Sequence, residues 1–268
     1  MTEIVLVGCG NMGFAMLQGW LSSDPSLSVH VVEPNDDYRQ RAAEAGAVAV
    51  AGIEDLKADR PMLIILAVKP QAMADVVPPY SVYVETGSTF VSIAAGTTIA
   101  TLLTLLGKDA PIIRCMPNTP AAIGAGMMVC CRNGSVGEAA VDLTTRLLSA
   151  SGAVEWLDDE GLMDAVTAVS GSGPAYFFHF VECLADAGAK AGLPHDVALT
   201  LAKQTAMGAG RLVAESEDDP AELRKKVTSP GGTTAAALSV FMEDGRLQAL
   251  VEKAVLAARD RGVELGKG

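Results

Sequence analysis

The stretch Ile4-Val5-Leu6-Val7-Gly8-Cys9-Gly10-Asn11-Met12-Gly13 decides the fold. Its aliphatic opening reads as a strand, and helix-like Phe14 to Trp20 follows the last glycine. G-x-G-x-x-G therefore lies between strand and helix: Gly8 permits the tight turn, Gly10 leaves room for a pyrophosphate, and Gly13 lets the helix pack on the strand. The helix start adds unpaired N–H groups that attract an anion locally. Dinucleotide contacts are expected at Gly8, Cys9, Gly10, Asn11, Met12 and Gly13; the plain alternative is an ordinary βα turn.

Twenty residues beyond Gly13, Glu33 closes the next aliphatic run, Val29 to Val32. A carboxylate there accepts hydrogen bonds from the adenosine ribose and repels a 2′-phosphate, which favours NAD(H) over NADP(H). The alternative is a solvated side chain. In Leu66-Ala67-Val68-Lys69-Pro70 a strand ends in a cation and a helix-starting proline, so Ala67, Val68, Lys69 and Pro70 are expected at the ligand crevice, against a merely solvated lysine. Ser92-Ile93-Ala94-Ala95-Gly96 ends the next strand in small residues. Ala94, Ala95 and Gly96 would let a flat ring approach the backbone, or simply make a turn.

Outward from these runs, Ile4–Val7, Val29–Val32, Met62–Ala67, Phe90–Ala94, Ile112–Cys115 and Met127–Cys131 alternate with helix-like stretches, the pattern of βαβ units on a parallel sheet. Composition then changes class. All nine isoleucines precede residue 124, whereas residues 161–268 have none and carry 20 alanines. That half reads as all-α, with helix starts at Ser172 before Pro174 and at Asp219 before Pro220, and a stop at Gly192-Leu193-Pro194. The acidic turn Asp158 to Gly161 sets the boundary: a Rossmann-type α/β dinucleotide-binding domain over residues 1–160, then a helical domain over 161–268.

Charge excludes several partners. Twenty Lys and Arg against 32 Asp and Glu give −12, with neither half basic, so no nucleic-acid or anionic-membrane binding is expected. The longest uncharged apolar run, Met62 to Val68, is far short of the roughly 20 residues of a membrane span. The start Met1-Thr2-Glu3 lacks the positive region of a secretion signal, which points to the cytoplasm. Five cysteines without C-x-x-C spacing read as reduced and structural, and no metal site is expected. The apolar run Tyr176 to Val181 covers every side of a helix and needs burial on more than one face, at a subunit interface or in a central core. Two small-residue loops, Ser170-Gly171-Ser172-Gly173-Pro174 and Ser229-Pro230-Gly231-Gly232-Thr233-Thr234, suit a substrate carboxylate or are ordinary caps.

Met116-Pro117-Asn118-Thr119-Pro120, Ser170 to Pro174, and Pro220 through Ser229–Thr234 to Leu238 together resemble the pyrroline-5-carboxylate reductase family. The resemblance runs nearly end to end. It implies reduction of the small-molecule imine Δ1-pyrroline-5-carboxylate to L-proline by NAD(P)H, the last step of proline biosynthesis, and a helical domain that makes a homodimer or a decamer of five dimers. It also implies a substrate loop at Ser229, Gly231, Gly232, Thr233 and Thr234, with Thr234 near the imine nitrogen as the catalytic aid, and a further contact at Glu217. One departure stands out. The family commonly prefers NADP(H), with small polar or basic residues after the second strand, where this chain has Glu33-Pro34-Asn35-Asp36-Asp37. β-Hydroxyacid dehydrogenases and imine reductases share the two-part plan, the former with a helical-domain lysine for which Lys190 and Lys203 are candidates; a non-catalytic dinucleotide sensor is a further alternative.

Overall fold

Alternate residues of the first strand, β1 (Glu3–Val7), feed two different cores: Ile4 and Leu6 enter one, Val5 and Val7 the other. A strand buried on both faces needs helices on both faces. The computed structural model describes residues 2–266 and supplies them. In chain order come α1 (Asn11–Ser23), β2 (Ser28–Val32), α2 (Asp36–Glu44), β3 (Val48–Val50), β4 (Leu63–Leu66), α3 (Met73–Val76), β5 (Thr89–Ser92), α4 (Ile99–Leu106), β6 (Ile112–Met116), β7 (Gly126–Arg132), α5 (Glu138–Ser149), β8 (Gly152–Trp156) and α6 (Met163–Val166).

The strands form one sheet in the order β3-β2-β1-β4-β5-β6-β7-β8. The order reverses direction between β1 and β4, the crevice where doubly wound sheets hold their ligands. All six expected strands are present. The structure adds β3 and β8, and it corrects the all-parallel expectation, because β7 runs antiparallel to β6. The reason is the short link between them: the 3₁₀ turn Thr119–Ile123 and Gly124, with its left-handed φ of 72°, return the chain without a crossover helix.

Residues from Gly173 to Ala257 form a second compact unit; those up to Ser172, with those from Ala258 on, form the first. The helices α7 (Gly173–Lys190), α8 (His195–Glu215), α9 (Pro220–Lys226), α10 (Thr233–Met242) and α11 (Arg246–Leu265) complete the chain. The stop at Gly192-Leu193-Pro194, just past the end of α7, and the start at Asp219 fall where the sequence puts them.

α7 starts at Gly173, directly after Ser172 as the sequence puts it, but without the break in the chain that a cap would make. A π-helical turn, Thr167–Gly171, runs on from α6, and Ser172 keeps helical angles into α7. Asn118 sustains this turn by donating from Nδ2 to the Ser170 carbonyl at 3.0 Å while its Oδ1 accepts the Met127 N–H at 2.9 Å. Gly171 passes so close to β6 that a Cβ would stand 2.5 Å from Met116 Cε. In the second unit the aromatic run of α7 is open: Phe177 is 72% and Phe178 62% exposed within one chain. Four cysteines are buried and reduced, but Cys183 is exposed on α7 and does not fit the structural reading.

Candidate active site

The glycine turn occupies the carboxyl end of β1, beside the reversal of strand order. Gly8 has φ of +89°, and a Cβ on it would meet the Ala67 carbonyl at 2.8 Å. A Cβ on Gly13 would stand 2.6 Å from the Gly8 carbonyl, so α1 lies tightly on the turn. Gly10, in contrast, has open space where a side chain would be. It caps α1 through its backbone alone, no side chain bonds the first turn, and that turn holds no acidic residue. Free N–H groups at an uncapped helix start beside open space are the arrangement a pyrophosphate fits.

Glu33 is neither solvated nor idle. It is 7% exposed; its Oε2 accepts the Cys9 N–H at 2.6 Å and its Oε1 accepts the Asn35 N–H at 2.9 Å. The carboxylate thus latches the glycine turn to the start of α2, where Asn35 caps the helix through the Tyr38 N–H. Arg41 braces the same turn from the other side, donating to the Cys9 carbonyl at 2.9 Å and lying 3.9 Å over the Phe14 ring. Burial pushes the Cys9 thiol up to about 11, so it is a neutral packing group here.

A cleft of about 540 Å³ opens beside the latch, lined by Gly8, Gly10, Glu33, Ala67, Val68 and Lys69 of the expected set. Pro34, Tyr38, Ile53, Val76 and Tyr80 line it as well, and sequence reasoning missed them. Ile53 lies just past β3, separated from it by Ala51 and Gly52, and β3 is too short to read from the sequence. Cys9, Asn11, Met12 and Gly13 belong to the turn and the α1 start, whereas Pro70 starts a 3₁₀ helix behind Lys69. Ala94, Ala95 and Gly96 lie at the carboxyl end of β5, two strands from β1, with Gly96 at φ of +73°.

That β5 end has a support no local pattern announces. Glu160 Oε1 accepts the Ile99 N–H at 2.8 Å and Arg114 Nη1 at 3.0 Å, which ties the start of α4 to β6 from 61 and 46 residues away. Arg114 is 5% exposed, so its guanidinium is withdrawn from water while the Glu160 carboxylate stays partly solvated.

In the second unit, Ser229–Thr234 forms a turn in which the Gly232 N–H donates to the Ser229 carbonyl at 3.1 Å and Gly231 takes φ of +70°. Gly232 caps α10 by backbone only, leaving the first-turn N–H groups without side-chain partners. Ser229, Gly231 and Thr233 are exposed; Gly232 and Thr234 are half-buried. Glu217 is exposed in the link between α8 and α9.

A doubly wound sheet with an open glycine turn at its switch point, followed by an all-helical segment, defines a dinucleotide-binding protein of the dehydrogenase type. Residues 160–265 match the model of pyrroline-5-carboxylate reductase dimerisation, and residues 3–96 match that of NADP oxidoreductase, coenzyme F420-dependent. The chain is similar to the pyrroline-5-carboxylate reductase of Pseudomonas aeruginosa, 42% identical over 269 residues that cover 99% of this chain and 97% of the relative. The corresponding enzyme of Escherichia coli is 36% identical, with 99% and 98% covered. Among solved structures, the Coxiella burnetii pyrroline-5-carboxylate reductase superposes with a TM-score of 0.91 at 32% identity, covering 100% of this chain and 99% of that one. The Plasmodium falciparum enzyme, solved with NADP bound, gives 0.83 at 28%, covering 99% and 98%. The chain belongs to the pyrroline-5-carboxylate reductase family. It is therefore an NAD(P)-dependent oxidoreductase with an oligomerising helical domain. Among the described residues no helix is long and apolar enough to cross a membrane.

Proposed function

We propose that this chain reduces Δ1-pyrroline-5-carboxylate to L-proline, with the dinucleotide held at Gly8–Gly13 and the substrate at Ser229–Thr234. The observation that carries the reading is the backbone-capped mouth of α10 at Gly232, in a chain that matches the family over its full length.

A reduced dinucleotide held by Gly8–Gly13 would supply the hydride for the imine carbon, with a proton taken up at the ring nitrogen. Everything else is positioning. The uncapped amides of α1 hold the pyrophosphate, and Glu33 keeps their turn in shape through the Cys9 N–H. Ala67, Val68 and Lys69 wall the cleft, and Pro70 sets the direction in which the chain leaves it. The small residues Ala94, Ala95 and Gly96 let the nicotinamide lie against backbone that Glu160 and Arg114 hold still. Backbone N–H groups of Gly231 and Thr233, with the Ser229 hydroxyl, would take the substrate carboxylate, while the Gly232 N–H, given to the Ser229 carbonyl, keeps the turn in shape; Glu217 would add a polar contact. The Thr234 hydroxyl hydrogen-bonds near the imine nitrogen. Thr234 assists protonation and is not its obligatory source, because the imine binds already protonated or takes its proton from water.

The exposed aromatic face of α7 is the surface we assign to a homodimer, and five such dimers make the decamer of the larger family assemblies. The functional division falls at Glu160 and Gly161, next to the start of the matched dimerisation region. The setting is the cytoplasm, in keeping with four buried thiols left unpaired.

A steady-state assay tests the reading: NADH or NADPH oxidation with pyrroline-5-carboxylate, beside 3-hydroxyacid oxidation and controls without substrate. One L-proline formed per reduced dinucleotide consumed is the expected result. Turnover of the hydroxyacid alone, or no substrate-dependent oxidation, overturns it.

A further inference from the structure

The segment that follows β2 contains a cation that the cofactor reading leaves unused. Arg39 Nη1 donates to the Glu33 carbonyl at 3.0 Å and to the Pro34 carbonyl at 3.1 Å, so the guanidinium is fixed at the rim of the cleft that Glu33 and Pro34 line. Its Nη2 is paired with the Asp36 carboxylate, and Asp36 itself is 89% exposed at the first position of α2. Arg41, the other arginine of α2, is committed elsewhere, to the Cys9 carbonyl and the Phe14 and Tyr38 rings.

We infer that Asp36 is a specificity-determining residue that withholds Arg39 from a 2′-phosphate and so turns the chain toward NADH. The inference rests on the dinucleotide reading of the cleft. An arginine just past the second strand is what accommodates the extra phosphate in NADP-binding sheets of this kind. Here such an arginine is present, and its planar donors are already oriented by two carbonyls. The remaining face holds a carboxylate instead of a vacancy. A phosphate dianion must displace Asp36 and then sit beside Glu33, which cannot swing aside because both of its oxygens hold backbone N–H groups. Asp37 adds a further negative charge to the same turn. NADH, with free ribose hydroxyls, meets none of this opposition. The geometry separates two roles that the sequence merges: Glu33 is the fixed part of the discriminator, and Asp36 is the part that can be removed without loosening the glycine turn.

The test is calorimetric titration of NADH and NADPH into the full-length protein, its Asp36→Asn variant, and the Asp36→Asn/Arg39→Ala double variant. The wild type is expected to bind NADH at least about tenfold tighter than NADPH. Asp36→Asn should tighten NADPH about five- to tenfold while NADH shifts less than twofold, and the gain should weaken as salt is raised. Removing Arg39 in the double variant should cancel it. An unchanged NADPH-to-NADH ratio in Asp36→Asn, or a gain that survives loss of Arg39, overturns the inference and leaves the cofactor site standing. Failure of every form to bind either dinucleotide overturns the site reading and the inference together. Asp36 is exposed, and matching melting curves of the three proteins verify that the comparison is between folded forms.

Discussion

The two glycine-rich helix mouths to which we assign the cofactor and the substrate are built differently. At Gly8–Gly13 the turn is buried at Gly8, Cys9 and Gly13, latched by Glu33, braced by Arg41 and pressed against Ala67. At Ser229–Thr234 the turn is held by its own backbone, and most of its residues face solvent in the single chain. The first mouth is completed by its own unit and is ready for a ligand. The second is open, as a loop must be if substrate and a partner subunit are to complete it. Preorganisation on one side suits a large dinucleotide whose pyrophosphate needs a fixed set of amides, and openness on the other suits a small acid.

The contrast breaks most sharply at Gly8. A Gly8→Val side chain would have to occupy φ of +89° and overlap the Ala67 carbonyl. NADH affinity should fall more than about 100-fold in a fluorescence titration, from strain and backbone displacement together. Unaltered binding would mean that the turn does not hold the dinucleotide.

At the open mouth the expected effect is smaller. Thr234→Ala should lower kcat about 10- to 100-fold and leave the NADH dissociation constant unchanged. Complete loss of turnover with both ligands still bound would make Thr234 an obligatory proton donor and contradict the assisting role.

Much of the closed mouth was legible, because its glycines, Glu33 and flanking aliphatic runs are local signals. What Glu33 holds was not legible: its donor at Cys9 is 24 residues away, and only the folded chain brings the Cys9 amide to the carboxylate. β3 and β8 escaped for a related reason. Val48–Val50 is three residues long, and Gly152–Trp156 alternates half-buried with exposed positions at the sheet edge, so neither carries the continuous apolar run of a central strand. Ser170 to Pro174 reads as a capped helix start on composition. The distant Asn118 amide instead satisfies the Ser170 carbonyl and lets a π turn carry the chain through.

The support under the β5 end sharpens the same contrast. Glu160→Gln leaves the Arg114 guanidinium buried without its anion. The side chain of Glu160 keeps 29% exposure, so solvent screens the pair, and the cost should be about 1–2 kcal/mol in a urea melt. No change in the midpoint would show that the ion pair does not hold α4 in place.

The smallest effect is a pH dependence confined to the sheet-bearing unit. Burial raises the Cys9 and Cys131 thiols from 9.0 to about 11. Between those values the unfolded chain has released protons that the folded chain retains, so stability falls as pH rises from 9 toward 11. The loss at pH 10 should be about 1 kcal/mol per thiol. Cys9→Ala should remove its share of the slope, and a slope unchanged in that variant would place the titrating group elsewhere.

The most direct test of the two-mouth account is a crystal structure of the protein with NAD and L-proline. The expected density places the pyrophosphate on the amides at the start of α1, and the proline carboxylate on the backbone of Gly231–Thr233 with its ring nitrogen beside Thr234. Proline bound out of reach of Thr234, or a pyrophosphate away from Gly10, would contradict it.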